Sequence, residues 1–404
     1  MQILLTGMVL SATVQLVCAA PAPSNFLSDF FDSFKREEST EVTTPSISQE
    51  STANTAFAPQ TSPFFPDFEL AMSSPTEEAV RYDTQGKALS RKSLDLKKYP
   101  EPWTLPDIYS PQVQAVIKVI DWNLVPDAPV RTFNGEGSIN FDGYDSSKDK
   151  DCWWSASNCV SPKVDYIPDD LYTCSRKGEW GLTFDDGPFN VRESGELYAT
   201  QENPFAEPEL YNFLEKNNLK SNLFYIGSNV AYYPAAAKRA FDDGHYICSH
   251  TWSHPPMTTL TNAEVVAELY WTLRAIKEAT GITPRCWRPP QGDVDDRVRA
   301  IAWQMGMHTI LWDKDTEDWA LQAPGGGSLS PSQVDKKFSK WLREAKSQTH
   351  GTIVLQHELN SATIRMAEKW LPKIKSNFKV VPASACNDVT QPYWEQDVVY
   401  PAIH

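Results

Sequence analysis

Two short segments of the sequence contain the side chains of a hydrolytic metal site. Thr183–Pro188 reads Thr-Phe-Asp-Asp-Gly-Pro and holds two adjacent carboxylates, Asp185 and Asp186. His250–His254 reads His-Thr-Trp-Ser-His and holds two imidazoles four residues apart. One carboxylate and two neutral imidazoles suit Zn²⁺ or another borderline divalent ion, and three protein ligands leave a coordination position open for water. The second carboxylate could then act as a general base toward that water.

Each segment alone is a weaker signal. Histidines four residues apart also occur on one face of a helix, and Asp-Asp-Gly-Pro is a composition typical of a tight turn. The apolar residues that precede each segment favour the metal site, because Trp180–Phe184 and Tyr246–Ser249 both read as buried strands. Each strand would end at the polar side chains.

The elements that must position these side chains alternate along the chain after Cys174. The pattern predicts strands at Trp180–Phe184, Ser221–Gly227, Tyr246–Ser249, Arg285–Arg288, His308–Trp312, Gly351–Gln356 and Phe378–Pro382. It predicts helices at Glu207–Asn217, Ala235–Asp243, Asn262–Thr280, Asp296–Met305, Pro331–Lys346 and Ala362–Lys375. Repeated strand–helix units indicate parallel strands with helical crossovers. The predicted fold class is therefore α/β, a distorted (β/α) barrel with one unit irregular or missing.

In an α/β barrel, the reactive residues follow the carboxyl ends of the strands. Asp185, His250, Arg288, Asp318 and His357 all fall just after a predicted strand. Five such positions indicate that one rim of the barrel carries the site.

The part of the chain before Cys174 has a different character. An apolar run, Ile3–Ala19, ends in small residues and predicts a secretory signal over 1–20, with an uncleaved anchor as the alternative. Residues 21–99 are rich in Ser, Thr, Pro and acidic side chains, so we expect a disordered N-terminal extension there. Residues 100–173 carry no motif, but the apolar stretch Val113–Ile120 predicts that this segment packs on the barrel.

The remaining boundaries, the charge and the partners follow from composition and pattern. We assign residues 174–386 to the catalytic domain and residues 387–404 to a C-terminal tail. The net charge of −15 and the pI near 5.0 disfavour a nucleic-acid or anionic-membrane partner, because such partners need clustered Lys and Arg. We expect a secreted monomer, extracellular or in the cell wall, without stable membrane insertion.

The cysteines support export. Six remain outside the predicted signal: Cys152, Cys159, Cys174, Cys248, Cys286 and Cys386. An even number in an exported chain predicts three disulfides, and Cys152 with Cys159 is the best local pair. A zinc site built from Cys and His is the competing interpretation, which the lack of a close Cys-x-x-Cys pair disfavours.

Five motifs in order resemble the polysaccharide deacetylases of carbohydrate esterase family 4, most closely the fungal chitin deacetylases. They are Thr183–Pro188, His250–His254, Arg288–Gly292, Asp315–Trp319 and Leu355–His357. The resemblance covers the chain from Cys174 to Cys386. One departure is visible, since the third motif often carries Tyr where this chain has Gln291.

The resemblance implies a role for most of the polar residues. Asp186, His250 and His254 would bind the metal, with Zn²⁺ expected and Co²⁺ or another divalent ion as alternatives. Asp185 would be the base that deprotonates the attacking water, and Arg288 would orient it. Without the motif context, Arg288 and Asp318 would instead be interpreted as an ordinary structural ion pair.

The remaining family roles concern the leaving group and the substrate. His357 would protonate the leaving amine, and Asp318 would tune His357, with Asp315 competing for that role. The backbone N–H of Gln291 would stabilise the oxyanion. Trp319 and Leu355 would form the acetyl pocket, and Trp252 would lie near the cleft. Trp153 and Trp154 are the other aromatic candidates for sugar stacking, although buried aromatics more often belong to the core.

The predicted function is a secreted, metal-dependent N-deacetylase that acts on chitin or chitin oligomers and releases acetate and chitosan. One alternative keeps the chemistry but changes the polymer to acetylated xylan or a peptidoglycan-type glycan. Another is a non-catalytic chitin-binding wall protein on a deacetylase fold. A protein of that second kind should have lost a ligand, the base or the acid, and this sequence retains all of them.

Overall fold

The computed structural model describes residues 63–66, 89–90, 92–189, 209–322, 327–344, 347–396 and 398–400. The predicted signal and most of the predicted disordered segment 21–99 lie outside these residues. In the described part, eight strands form one curled, half-barrel sheet flanked by helices. The α/β fold class and the incomplete barrel are therefore confirmed.

The sheet is parallel in every strand pair. Its strands are β1 (Glu179–Asp185), β2 (Asn222–Tyr225), β3 (Tyr246–Ser249), β4 (Cys286–Trp287), β5 (His308–Thr309), β6 (Lys314–Asp315), β7 (Thr352–Leu355) and β8 (Lys379–Pro382). The order is β5-β4-β3-β2-β1-β7-β6, and β8 pairs with the first half of β1. Since β5 and β6 are the two ends of this order, the barrel does not close.

Nine α-helices connect or flank these strands in the described residues. They are α1 (Pro111–Ile117), α2 (Trp154–Ser157), α3 (Tyr211–Lys216), α4 (Gly227–Tyr232), α5 (Pro234–Asp242), α6 (Asn262–Thr280), α7 (Asp296–Gln304), α8 (Pro331–Glu344) and α9 (Ser361–Lys375). The predicted start of α3 and the predicted end of α8 include residues outside the described ranges.

Local sequence explains the best-predicted elements. Every residue of β1 is buried, which matches the continuous apolar runs of strands covered on both faces. Helix α6 has the predicted bounds because Thr261 and Glu264 form a reciprocal capping box at its start. It ends at Thr280 and is capped by Gly281, whose φ of 82° lies in the left-handed region that glycine adopts without strain.

The sequence pattern does not predict two elements, α4 and β6. The predicted strand Ser221–Gly227 ends at Tyr225, and Gly227 begins α4 instead. A Cβ on Gly227 would lie 2.7 Å from Oγ1 of Thr272, so α4 and α6 pack too closely for a larger residue. Most of α4 is buried, which removes the polar face that marks a surface helix. Strand β6 has two residues and is too short to show a period.

The segment before the motifs covers the open edge of the sheet. The backbone N–H of Leu171 donates to the carbonyl of Thr309 (3.1 Å), and Leu311 donates to the carbonyl of Leu171 (2.8 Å). Arg299 of α7 is fully buried and donates to both carboxylate oxygens of Asp170. An edge strand that is paired in this way is protected from pairing with another chain.

The described residues contain three disulfides, as predicted. Cys152–Cys159 is the predicted local pair, Cys174–Cys386 joins residues 212 apart in sequence, and Cys248–Cys286 links β3 to β4. Because these bonds use all six cysteines outside the predicted signal, the competing prediction of a Cys/His zinc site is wrong. Among the described residues, no helix combines the length and apolar character needed to cross a membrane.

Candidate active site

The two adjacent carboxylates stand at the carboxyl end of the central strand. Asp185 is the last residue of β1, and its N–H donates to the carbonyl of Gln356 (2.9 Å). Asp186 follows with a φ of 75°, a left-handed conformation that Asp tolerates better than most residues. Its carbonyl accepts a hydrogen bond from Nδ2 of Asn229 (2.7 Å). The change of backbone direction separates the two side chains, so that they can take different partners.

The two histidines lie in a tight turn after β3, not on a helix. His254 and the intervening Thr251 have φ angles of 63° and 66°, and the turn is closed by a bond from the N–H of His254 to Oγ1 of Thr251 (3.2 Å). The alternative of two histidines on one helical face is therefore wrong. The turn brings the two imidazole ring centres to 4.9 Å from each other.

A buried glutamate of α6 holds this turn. Oε2 of Glu268 accepts the backbone N–H groups of Trp252 (2.7 Å) and Ser253 (2.8 Å), and Oε1 accepts the hydroxyl of Ser253 (2.5 Å). Burial raises the pKa of Glu268 to about 7, and these donors oppose that rise. The sequence pattern offers no signal for Glu268, because it lies within a long helix between apolar residues.

Asp186, His250 and His254 together fit a metal ion. Oδ1 of Asp186 lies 3.5 Å from Nε2 of His250 and 3.3 Å from Nε2 of His254. This oxygen is buried and accepts no hydrogen bond from the described residues. Nδ1 of His250 is 2.8 Å from the carbonyl of Arg288 and therefore donates, which leaves Nε2 as a lone-pair donor toward the cluster.

The electrostatics of the cluster agree with this fit. Burial alone would raise the pKa of Asp186, but interactions with His254 and His250 hold it well below its ordinary value. A carboxylate that stays ionised beside two imidazoles is the donor set of a catalytic zinc site. Within the described part of the chain, two further groups, each of two cysteines and a carboxylate, lie close enough together to hold an ion, but their cysteines are disulfide-bonded and offer no such donor set.

Asp185 forms an ion pair with Arg288 and makes no close contact with the metal cluster. Nη1 of Arg288 donates to Oδ1 of Asp185 (2.6 Å) and to Oγ1 of Thr183 (2.9 Å). The guanidinium also donates to the carbonyls of Ile310 (3.1 Å) and Leu311 (3.0 Å). Oδ2 of Asp185 lies 3.7 Å from Nε2 of His250, so it faces the cluster. The competing interpretation, an Arg288–Asp318 ion pair, is wrong.

Asp318 is bonded to His357. Oδ1 of Asp318 is 2.6 Å from Nδ1 of His357, and Oδ2 accepts the backbone N–H of the same residue (3.1 Å). Oδ1 of Asp315, the competing candidate, accepts the N–H of Glu317 instead. Burial alone would lower the pKa of His357, but Asp318, with smaller contributions from Asp186 and Asp185, raises it to about 10.

His357 and Asp185 are neighbours across the sheet. They form a parallel bridge, in which the backbone N–H of Glu358 donates to the carbonyl of Asp185 (3.1 Å). The sheet therefore brings a buried carboxylate and an imidazole with a raised pKa to the same rim as the metal cluster. A paired base and acid beside such a cluster can carry out metal-assisted hydrolysis.

Gln291 lies in the short 3₁₀ turn Pro290–Gly292 and has a φ of 57°. Its side chain is exposed, and its backbone N–H donates to none of the described residues. A backbone N–H without a partner among the described residues, three positions after Arg288 in the chain, is available to an oxyanion.

The side chains predicted to contact the substrate differ in how far they are buried. Trp252 is fully buried, stacks on Tyr99 with ring centres 5.7 Å apart, and donates its indole N–H to the carbonyl of Glu101 (3.3 Å). Trp252 therefore presents no exposed face to a sugar ring, because the turn directs this side chain into the core, and its place near the cleft stays a prediction. Trp319 is half-buried beside Asp318, and Leu355 is buried at the end of β7.

Replacing Glu268 by Gln should weaken metal binding while leaving the fold intact. A Gln side chain can still accept both N–H groups with its amide oxygen, but its NH2 group then faces the Ser253 hydroxyl, which loses its acceptor. The charge that strengthens all three bonds is also lost, so the turn between the histidines is held less firmly. We expect a loss of metal affinity of about 10- to 100-fold, measured by Zn²⁺ titration against a competing chelator.

Glu264→Gln is the matched control for this prediction. Glu264 lies on the same helix, and Gln preserves its capping box with Thr261. Equal Zn²⁺ affinities for Glu268→Gln, Glu264→Gln and the unmodified chain would contradict a role of Glu268 in shaping the site.

Comparison with known proteins gives a consistent group of relatives. A family model described as polysaccharide deacetylase matches residues 173–310, which include the first three motifs. The chitin deacetylase of Amylomyces rouxii is 40% identical over 329 residues, which are 80% of this chain and 73% of that protein. Chitin deacetylase 2 of Cryptococcus neoformans var. neoformans is 42% identical over 261 residues, covering 63% and 53% of the two chains. The solved chitin deacetylase of Colletotrichum lindemuthianum is 24% identical with a TM-score of 0.46, covering 58% of this chain and 95% of its own.

Proposed function

The chain belongs to the polysaccharide deacetylase family, and from this premise we propose that it is a metal-dependent chitin deacetylase. The reaction hydrolyses the N-acetyl groups of chitin to acetate and leaves glucosamine units. The relatives named above as chitin deacetylases support chitin as the polymer. The observation that carries the proposal is the meeting of three groups at one rim: the Asp186–His250–His254 cluster, the Asp185–Arg288 pair and the Asp318–His357 pair.

We propose that Asp186, His250 and His254 hold the metal, with Zn²⁺ as the ion that this donor set suits best. When bound, the ion would act as a Lewis acid that polarises the acetyl carbonyl and lowers the pKa of water. The residues of the chain supply the remaining chemistry.

Asp185 is the proposed general base. Its Oδ2 faces the cluster, while Oδ1 is fixed by Arg288, so one oxygen positions the carboxylate and the other accepts the proton of the attacking water. The water oxygen forms a bond to the acetyl carbon, and the electron pair of the carbonyl π bond moves to the carbonyl oxygen. The backbone N–H of Gln291 is the proposed donor to that oxygen.

His357 is the proposed general acid. Its raised pKa, about 10, keeps the imidazolium protonated at neutral pH. When the carbon–nitrogen bond breaks, Nε2 of His357 delivers a proton to the amine nitrogen, and Nδ1 remains bonded to Asp318. Trp319 and Leu355 are proposed to enclose the acetyl methyl group.

The alternative, a non-catalytic chitin-binding protein, requires a site that has lost a ligand, the base or the acid. All of these residues are present. The three proposed ligands lie together, Asp185 contacts Arg288, and His357 contacts Asp318. The three disulfides favour an oxidising compartment, so we propose that the chain is secreted to the extracellular space or the cell wall. We further propose that it acts as a monomer.

Acetate release from a soluble chitin oligomer tests the function directly. We expect the purified chain to release acetate, to lose this activity after chelation, and to regain it when Zn²⁺ is added back, because the donor set is built for a divalent ion. Co²⁺ and Mg²⁺ should be compared in the same assay. Absence of acetate from the folded, Zn²⁺-loaded chain would contradict the proposal, and acetylated xylan and peptidoglycan fragments would be the next substrates.

A further inference from the structure

One aromatic side chain that the sequence pattern left among core residues lies against the third motif. Trp154 begins α2, and its backbone N–H donates to the carbonyl of Val294 (3.0 Å). A Cβ on Gly292 would lie 2.3 Å from Cζ3 of the Trp154 ring, so only glycine fits there. Gly292 follows Gln291, the proposed oxyanion donor. Trp154 therefore reaches the active site from a segment outside the five motifs.

Trp154 is held firmly by its neighbours in sequence. Oδ1 of the fully buried Asp293 accepts the indole N–H of Trp153 (2.8 Å) and the hydroxyl of Ser155 (2.7 Å). Oδ2 of the same carboxylate accepts the N–H (2.8 Å) and hydroxyl (2.7 Å) of Thr258. The residues on both sides of Trp154 are thus tied to one carboxylate of the third-motif loop. Fixing an aromatic ring in advance lowers the entropy lost when a ligand binds it.

A line of contacts leads from the proposed base to this ring. Arg288 donates to Asp185, and its guanidinium carbon lies 5.4 Å from the ring centre of Trp312. The Trp312 ring centre lies 4.8 Å from that of Trp154, with the planes tilted by 60°. Arg288 is fully buried, whereas Trp312 and Trp154 are partly exposed. The two rings therefore continue from the base toward the surface.

We propose that Trp154 and Trp312 form an aromatic subsite for a sugar ring that neighbours the unit being deacetylated. The inference rests on the proposed function, since it assumes a polymer of acetylated pyranoses. The faces of such a ring are lined by C–H groups, which pack on flat aromatic side chains, while its hydroxyls stay in water. A substrate longer than one unit must extend over the rim, and these two rings lie on the Gln291 side of it.

Binding to an inactive background isolates this subsite from catalysis. In chains carrying Asp185→Asn, we expect Trp154→Leu to raise the Kd for a chitin tetramer about tenfold, as measured by calorimetry. Trp154→Phe, which keeps a flat ring, should raise it about two- to threefold. In the active chain, KM for the tetramer should rise by the same factors with kcat nearly unchanged, as expected when uniform binding is lost.

Trp122→Leu is the matched control, because Trp122 is an exposed tryptophan of the same N-terminal segment and should leave the Kd unchanged. An unchanged Kd for Trp154→Leu, or a loss of kcat alone, would overturn the proposal and leave Trp154 a packing partner of Gly292. If Trp154→Leu does not fold, Trp154→Phe and Trp154→Tyr decide the question by the same measurements. Failure of the Asp185→Asn chain itself to bind tetramer would overturn the proposed substrate, and the subsite with it.

Discussion

Asp185→Asn is expected to reduce kcat for acetate release by about a thousandfold, within the range for loss of a general base. The change removes a proton acceptor but preserves shape, because the amide oxygen of Asn can still accept the hydrogen bond from Nη1 of Arg288. Initial rates of acetate release from chitin tetramer, with saturating Zn²⁺, provide the measurement.

The structure separates this effect from a loss of metal. Oδ1 of Asp185 is bonded to Arg288 and its Oδ2 lies near one imidazole, whereas Oδ1 of Asp186 lies 3.3 Å and 3.5 Å from the two imidazoles. Asp185→Asn should therefore retain near-normal Zn²⁺ affinity, while Asp186→Asn should lose both affinity and activity. Activity of Asp185→Asn within tenfold of the unmodified chain would contradict the assignment of the base.

The Asp185–Arg288 pair could also be tested by changing Arg288. Its guanidinium spans Asp185, Thr183 and two backbone carbonyls, a pattern that the point charge of Lys cannot reproduce. The unmodified pair is buried, so a carboxylate left without its partner would be costly. The large expected effect of Arg288→Lys on activity would therefore include a loss of stability, which makes Asp185→Asn the cleaner experiment.

Local sequence is sufficient to predict the strands and the residues at their ends. Buried parallel strands carry continuous apolar runs, and the residue after each run falls on one rim whatever the strand order. This is why the positions of Asp185, His250 and His357 on one rim are predictable from the sequence alone. The bounds of α6 are predictable for the same reason, since its cap and its terminal glycine act locally.

Pairings over long sequence distances cannot be predicted in this way. Arg288 meets Asp185 across 103 residues only because β4 and β1 share one sheet, and the sequence alone leaves a pair with Asp318 open. The direction of Trp252 depends on the left-handed turn at Thr251, which apolar periodicity does not encode. The contact of Trp154 with Gly292 likewise depends on how the N-terminal segment docks.

The Asp318–His357 pair gives the second large expected effect, through its dependence on pH. Asp318→Asn removes the negative charge that contributes most to raising the pKa of His357, so this pKa should fall toward the ordinary value of about 6.5. One of the two acceptors of Asp318 also becomes a donor. At pH 8 less of the acid is protonated and its ring is less well oriented, so we expect kcat to fall about a hundredfold.

The expected direction of the change in kcat with pH determines which measurement is needed. Since only protonated His357 can deliver a proton, kcat should decline as pH rises, and the decline should begin at lower pH in Asp318→Asn than in the unmodified chain. A bound cation would offset the contributions of Asp186 and Asp185, so the comparison is made between variants at equal Zn²⁺ saturation. Profiles of kcat from pH 5 to pH 11 test the shift.

Asp315→Asn is the matched control, because Asp315 lies in the same motif but its side chain accepts the N–H of Glu317 and not a bond from His357. An equal shift of the alkaline limb in Asp315→Asn and Asp318→Asn would contradict the assigned pair.

The pH dependence of thermal stability tests the Asp318–His357 pair independently of catalysis. A histidine whose pKa is raised by folding stabilises the folded state fully below its unfolded pKa of about 6.5, and this stabilisation is lost as pH rises through about 10. The unmodified chain should therefore lose more Tm between pH 6 and pH 10 than Asp318→Asn does. Unlike the kinetic profile, this difference requires no substrate, so it would persist even if the polymer were not chitin. Parallel Tm curves for the two chains would show that Asp318 does not hold the proton on His357, and the acid would then have to be sought elsewhere on the rim.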